Sequence, residues 1–256
     1  MRVTIVGCAG SYPSAQSPAS CYLLEHDGHA IVLDLGNGSL GALQNFIALE
    51  DISAVFISHL HVDHFIDLTS FYVYRKYHPN GPLPAIPVFG PRDTAGRLAR
   101  AYGLAEDPGM SAEFEFREFG LHDEPAHEGA RHVELEIGPF SVTAARVAHP
   151  VEAYGFRVSA GGRTVAYSGD TGPTPVLVEL ARDADIALFE AAYVDGDHEP
   201  GVHLTAREAG QLAASAGVGH LVLTHLVAWN DVQATATQGA QGFGAEVTLA
   251  HPHLTL

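Results

Sequence analysis

Residues 59–64 read His59-Leu60-His61-Val62-Asp63-His64 and follow the apolar run Ala54-Val55-Phe56-Ile57-Ser58. The run has the length and side-chain character of a buried strand. A strand that ends in three imidazoles and a carboxylate delivers them to one edge of a sheet, where an ion can sit outside the packed core. Neutral imidazole nitrogen and carboxylate oxygen are the donors that Zn²⁺ accepts when it keeps a position open for water. Isolated histidines are more often structural or helix-capping, but four donors in six positions read as a metal cluster.

Further donors end β-type runs elsewhere. His149 closes the run from Val142 to Ala148, Asp170 closes Val165-Ala166-Tyr167-Ser168-Gly169, and His225 closes Leu221-Val222-Leu223-Thr224. His203 stands in Gly201-Val202-His203-Leu204-Thr205, just ahead of a helical pattern. Each is weak alone. Their shared place at strand ends matters, because such ends can converge on one face.

Strand patterns are expected over residues 3–6, 21–25, 30–33, 54–58, 86–89, 140–148, 154–159, 164–168, 186–189, 221–224 and 246–249. Helical patterns fall at 39–47, 64–76, 92–102, 175–182, 205–216 and 231–242. Asp27-Gly28 and Gly161-Gly162 read as hairpin turns. Strands and helices mix over the whole length without a linker, which predicts one domain over residues 1–256. The Glu-, Pro- and Gly-rich stretch 106–129 reads as a variable loop or insert.

Composition narrows the function classes. Hydrophobic residues at 46% and charged residues at 17% describe a globule with ample core. No run of about eighteen apolar residues predicts a membrane span. The opening Met1-Arg2-Val3-Thr4-Ile5-Val6-Gly7 enters a strand pattern without a signal peptide's apolar stretch, so a cytoplasmic protein is expected. The two cysteines, Cys8 and Cys21, read as buried thiols rather than a disulfide framework. Thirteen basic residues against thirty acidic give a net charge of -17, and Lys76 is the only lysine. A nucleic-acid binder ordinarily presents basic surface that displaces counterions from phosphates. Extended nucleic-acid binding is therefore disfavoured, with a small patch at Arg75, Lys76 and His78 as the one local candidate.

On these residues the chain resembles the metallo-β-lactamase superfamily, from Met1 to the C-terminus. Residues 59–64 match its signature, and His149, Asp170 and His225 match the later motifs in order. Within it the chain looks most like the ribonuclease Z branch. That resemblance rests on Gly7-Cys8-Ala9-Gly10-Ser11-Tyr12-Pro13, Asp34-Leu35-Gly36-Asn37-Gly38, Ala148-His149-Pro150, Ser168-Gly169-Asp170-Thr171, Glu190-Ala191-Ala192 and His203-Leu204-Thr205. It implies an α+β fold: an αβ/βα four-layer sandwich of two mixed sheets face to face, with helices outside and a dinuclear zinc site at one edge. Carried over by position, His59, His61 and His149 would hold one zinc. Asp63, His64 and His225 would hold the other, with Asp170 bridging. Manganese or another divalent ion would suit the same donors. Asp34 would orient a ligand histidine, and a structural turn aspartate is the equal alternative. Catalysis would involve Asp63, His203 and Glu190, with His203, supported by Glu190, contacting the scissile phosphate and assisting the leaving oxygen. The branch also suggests a homodimer.

Departures redirect the substrate. Asp170 follows His149 by twenty-one positions, where tRNA-processing members of the branch carry a long arm that grips tRNA. Phe189 and Ala192 stand where those enzymes often show histidine and threonine. A closer resemblance is to arm-less, ribonuclease-Z-like hydrolases of actinobacteria, which include atypical cyclic-nucleotide phosphodiesterases. It is carried by Ser17-Pro18-Ala19-Ser20, Leu40-Gly41-Ala42-Leu43-Gln44, Tyr74-Arg75-Lys76-Tyr77-His78-Pro79 and Gly90-Pro91-Arg92-Asp93-Thr94. The expected activity is zinc-dependent hydrolysis of a small nucleotide phosphodiester, with 3′,5′-cyclic AMP the favoured substrate. The alternatives are a tRNA 3′-end endonuclease, a thioester or lactam hydrolase, and a non-catalytic ligand-binding protein.

Overall fold

Along the strand that leads into residue 59, burial splits between two cores. Ala54 and Phe56 face one hydrophobic cluster, while Val55 and Ile57 face another. Side chains alternate across a strand with a period of two, so a strand apolar on both faces must be covered on both. The computed structural model describes residues 1–196 and 199–256 and shows how that is done.

Six strands form the first sheet in sequential order: β1 (Arg2–Gly7), β2 (Cys21–His26), β3 (His29–Leu33), β4 (Ile52–Phe56), β5 (Ile86–Gly90) and β6 (Phe114–Glu118). The second sheet holds β7 (His132–Ile137), β8 (Phe140–Arg146), β9 (Tyr154–Ala160), β10 (Arg163–Tyr167), β11 (Ile186–Glu190), β12 (His220–Thr224) and β13 (Thr248–Leu249), again in order. The sheets pack face to face around Ile5, Tyr22, Leu33, Phe56, Phe156, Tyr167 and Leu188. Outside the first sheet lie α1 (Ser39–Leu43), α3 (Leu68–Lys76) and α4 (Thr94–Tyr102). Outside the second lie α5 (Pro175–Leu180), α6 (Ala206–Ser215) and α7 (Val232–Phe243). The short α2 (Val62–Phe65) lies between β4 and α3 in the chain. This is the four-layer metallo-β-lactamase sandwich.

Local signals set the helix ends. Thr174 caps α5 with Pro175 in its first turn, and Thr205 with Glu208 makes a reciprocal capping box on α6. The hairpins at Asp27-Gly28 and Gly161-Gly162 form as expected, with His26 opposite His29 and Ala160 opposite Arg163.

Three expectations need correction. The helix expected over 64–76 is interrupted at residues 66–67, because the Asp67 amide donates to Leu35 O and its carboxylate accepts from the Leu40 amide. The 106–129 stretch is no loose insert. It contributes β6 and sends Met110 and Phe114 into one core, Phe119 and Leu121 into the other. Nor does Arg75 belong to a basic surface patch. It is 2% exposed and donates to the carbonyls of Glu113 and Pro84. Among the described residues no helix is long and apolar enough to cross a membrane.

Phe56 is fully buried, stacks on Phe89 at 4.7 Å and meets Phe156 of the opposite sheet edge-on at 6.0 Å. Phe56→Ala should cost about 3–5 kcal/mol in denaturant unfolding, and Phe56→Leu markedly less.

Candidate metal centre

Strand direction assembles the site. β3 and β4 run parallel, as do β10, β11 and β12, while β8 is antiparallel to β9 and β9 to β10. The C-terminal ends of β3, β4, β8, β10, β11 and β12 therefore share one edge of the sandwich. Just beyond or at those ends stand Asp34, His59, His149, Asp170, Glu190 and His225. The candidates scattered through the chain are brought together.

One group consists of His59, His61, His149 and Asp170. His59 Nε2 lies 3.0 Å from His61 Nδ1, His149 Nε2 lies 3.3 Å from the same atom, and Asp170 Oδ2 is 3.6 Å from His59 Nε2. A tetrahedral shell with metal–nitrogen bonds of about 2.0–2.1 Å separates its donors by about 3.3–3.4 Å. The spacing thus fits a zinc-sized cation. The tautomers fit as well. Ser58 Oγ gives its proton to Asp34 and accepts from His59 Nδ1–H at 3.1 Å; His149 Nδ1–H donates to Val202 O at 2.9 Å. Both rings therefore present a bare Nε2. Burial disfavours charge on all three imidazoles, depressing His59 far below its usual range and His149 to about 4.

The second group is Asp63, His64, Asp170 and His225, all buried. Its Asp34 support is direct: His64 Nδ1–H donates to Asp34 Oδ2 at 2.7 Å, leaving Nε2 for the site. Nε2 lies 3.3 Å from Asp170 Oδ1 and 3.4 Å from Asp63 Oδ2, and His225 Nδ1 lies 3.2 Å from Asp170 Oδ1. Yet His64 Nε2, Asp170 Oδ1 and His225 Nε2 have no hydrogen-bond partner although each is sealed from water. Unpaired buried polar atoms are costly. Three in one four-residue group are the arrangement a cation would satisfy. Burial opposes charge on His64, but the carboxylates of Asp170 and Asp34 outweigh it and hold a proton there. A metal at Nε2 would take that proton's place. Burial likewise opposes ionisation of Asp63 and Asp170, and the surrounding imidazoles overcome it, drawing Asp63 down to about 2 and holding Asp170 well below the usual carboxylate range. Asp170 is the residue common to both groups.

His203 stands beside them rather than within them. Its Nδ1–H donates to Glu190 Oε1 at 2.9 Å, and the same nitrogen is 3.9 Å from Asp170 Oδ2. The ring lies between His149 and His225, with centroids 5.4 and 5.5 Å away. Burial works against its charge, but Glu190 and then Asp170 push its pKa up to about 9. Glu190 is held in turn by the amides of Thr171 and Ala192.

Sequence reasoning missed several supports. Ser58 and Tyr167 each donate to Asp34 at 2.7 Å, and the Ser58 amide adds a third bond of 2.7 Å. The available signal was a polar residue at the end of an apolar run, which Ser58 and Tyr167 share with the donors themselves. A Cβ on Gly36 would lie 1.9 Å from Asp63 O, so only glycine lets the 34–38 loop pack against α2.

Comparison with known proteins agrees with this geometry. Residues 29–226 match the family described as the β-lactamase superfamily domain. An uncharacterized protein of Mycobacterium tuberculosis is 38% identical over 253 residues, covering 96% of this chain and 88% of the relative. The probable metallo-hydrolase YhfI of Bacillus subtilis is 29% identical, covering 98% and 97%. Its crystal structure superposes with a TM-score of 0.85, over 100% of this chain and 98% of that one, at 24% identity. Ribonuclease Z of Myxococcus xanthus is 26% identical, covering 100% and 97%. The matched family, the shared fold and a His/Asp cluster able to bind metal lead to one conclusion: this chain belongs to the β-lactamase superfamily.

Proposed function

We propose that the whole chain acts as one dinuclear zinc phosphodiesterase domain that hydrolyses a small nucleotide diester, 3′,5′-cyclic AMP to 5′-AMP. The observation that carries this reading is the His203–Glu190 pair, set against the carboxylate common to both donor groups. His59, His61 and His149 would hold one ion, Asp63, His64 and His225 the other, with Asp170 between them. Two zinc ions so held would supply hydroxide at neutral pH and positive charge at the phosphoryl oxygens. The protein's own part is proton delivery. As a water oxygen bonds to phosphorus and the P–O3′ bond breaks, the departing 3′ oxygen would take a proton from the ring of His203, and the proton given up by the water would restore that ring's charge. Glu190 holds Nδ1–H, which keeps that ring charged and aimed through Nε2. The net change is one water added across the P–O3′ bond.

Two features favour a small diester over folded tRNA. Between His149 and Asp170 there is only the β9–β10 hairpin with its two-residue turn. The chain's net charge is -17, and like charges repel within the roughly 8 Å screening length of physiological salt. The relationship to ribonuclease Z keeps tRNA 3′-end cleavage as the second reading. Purified, metal-loaded protein should convert 3′,5′-cyclic AMP to 5′-AMP and leave precursor tRNA essentially intact. Efficient removal of a tRNA 3′ trailer with cyclic nucleotides untouched would reverse the order of the two.

Metal content tests the ligand assignment. Wild type should carry two ions per chain by elemental analysis, and Asp170→Ala should lose most of its metal together with nearly all turnover. Retention of two ions at normal rate would refute the bridging role.

His203→Ala should separate metal from chemistry: full metal content, with turnover of cyclic AMP down by about 10²–10⁴-fold. A p-nitrophenyl diester, whose leaving group departs without a proton, should lose far less. Equal losses on both substrates would remove the proton-donor role.

A further inference from the structure

Trp229 is the chain's only tryptophan and is 70% exposed. Its ring sits 5.7 Å from that of Tyr12 at a 34° tilt, and Tyr12 is itself 42% exposed. Scattered exposed apolar residues need no explanation, but the backbone ties the segments that carry this pair to the metal centre. Leu226, next after His225, receives Gly10 N–H and donates to Cys8 O. A Cβ on Gly10 would lie 2.6 Å from His225 O, so the Tyr12 loop rests directly on that donor residue. Asn230 N donates to Val227 O, closing a turn with Trp229 near its tip, and Asn230 Nδ2 donates to Ala192 O. Ala192 in turn bonds the Glu190 carboxylate through its amide. The Trp229 turn is thus strung between His225 and the support of His203. Val62, 54% exposed between His61 and Asp63, adds a further apolar group to the site's segments.

We propose that Tyr12 and Trp229 form the stacking platform that receives the nucleobase of the substrate while its phosphate lies at the metal centre. The inference rests on the phosphodiesterase reading for the substrate's phosphate and adds the group that recognises its base. An indole with Tyr12 on one side keeps its remaining surface open, and a base stacked there exchanges water for a flat π surface. Such stacking tolerates any base, so the platform selects nucleotides over other phosphate esters without choosing strongly among bases. Tyr12 restrains the indole, which limits the ordering cost on binding.

The single tryptophan supplies the readout. With metal-loaded wild type, 5′-AMP should quench the fluorescence saturably, and ribose 5-phosphate, which has the phosphate but no base, should not. Tyr12→Ala, which keeps the reporter, should weaken the 5′-AMP response. Trp229→Ala should raise KM for cyclic AMP by about 5- to 150-fold, the usual worth of one base–aromatic stack, with the loss falling on KM rather than kcat. Trp229→Phe should restore most of it. Both rings are substantially exposed, so these changes leave the core intact. Equal quenching by the two ligands, or an unchanged KM in Trp229→Ala, would overturn the platform while leaving the phosphodiesterase reading standing. Base-dependent quenching in a protein that hydrolyses no diester would support the platform and refute that reading. A fluorescence change on raising protein concentration alone, with no response to 5′-AMP, would assign the pair to a contact between copies and overturn the inference.

Discussion

A carboxylate buried without any lysine or arginine beside it holds this molecule's functional edge together. Asp34 accepts from Ser58 N, Ser58 Oγ, His64 Nδ1 and Tyr167 Oη, each at 2.7 Å. Burying a carboxylate is costly unless its lone pairs are used, and short bonds to a charged acceptor are the strong kind. The four donors come from β4's continuation, from α2 and from the end of β10, so one side chain ties both sheets at the edge where the donors gather. A positive φ of 58° lets the chain leave β3 with the carboxylate turned back toward these partners, a conformation aspartate tolerates better than most residues. Two of the bonds also have a tautomeric consequence: by occupying Nδ1–H of His64, and Ser58 Oγ for His59, Asp34 fixes which nitrogen each ring offers.

That arrangement places opposite electrostatic demands on neighbouring rings. His59, His61 and His149 are kept neutral by burial, as metal ligands must be, whereas His64 sits between two carboxylates that favour its charged form. Asp170, in contact with both groups, reconciles them. A cation in each group would satisfy His64 Nε2, Asp170 Oδ1 and His225 Nε2 and remove the repulsion among the clustered imidazoles. Metal binding and the stability of this edge are therefore coupled. His203 feels Asp170 less directly, because Glu190 is the carboxylate that accepts its Nδ1–H.

On the proposed phosphodiesterase reading, an acidic chain has to admit an anion. Charge repulsion scales with the extent of anion that must approach, and a small diester meets mainly the local field of the site. The short β9–β10 hairpin supplies no long arm for a folded polynucleotide, which suits the proposed mononucleotide substrate. Exposed apolar groups on the site-bearing segments suit a ligand whose other half is an aromatic base.

The sequence by itself determined the donor types and the architecture. The donors at 59–64, the strand-ending His149, Asp170 and His225, and the two-core alternation of strands such as 54–58 were legible because ligand type and period-two burial are local properties. The tertiary structure alone decided what depends on partners distant in the chain. β7, though its residues alternate polar and apolar, and β6, in a Glu-, Pro- and Gly-rich stretch, are edge strands, each with a single neighbour, whose pairing comes from the register of β8 and β5. Arg75 reads as surface in the sequence but is buried, with the carbonyls of residues 113 and 84 accepting from its Nε and Nη2. Ser58 and Tyr167 resembled ordinary strand residues until both sheets met at Asp34. Burial and hydrogen bonding depend on the elements that close over a residue, and those elements are set by long-range packing rather than by its neighbours in the chain.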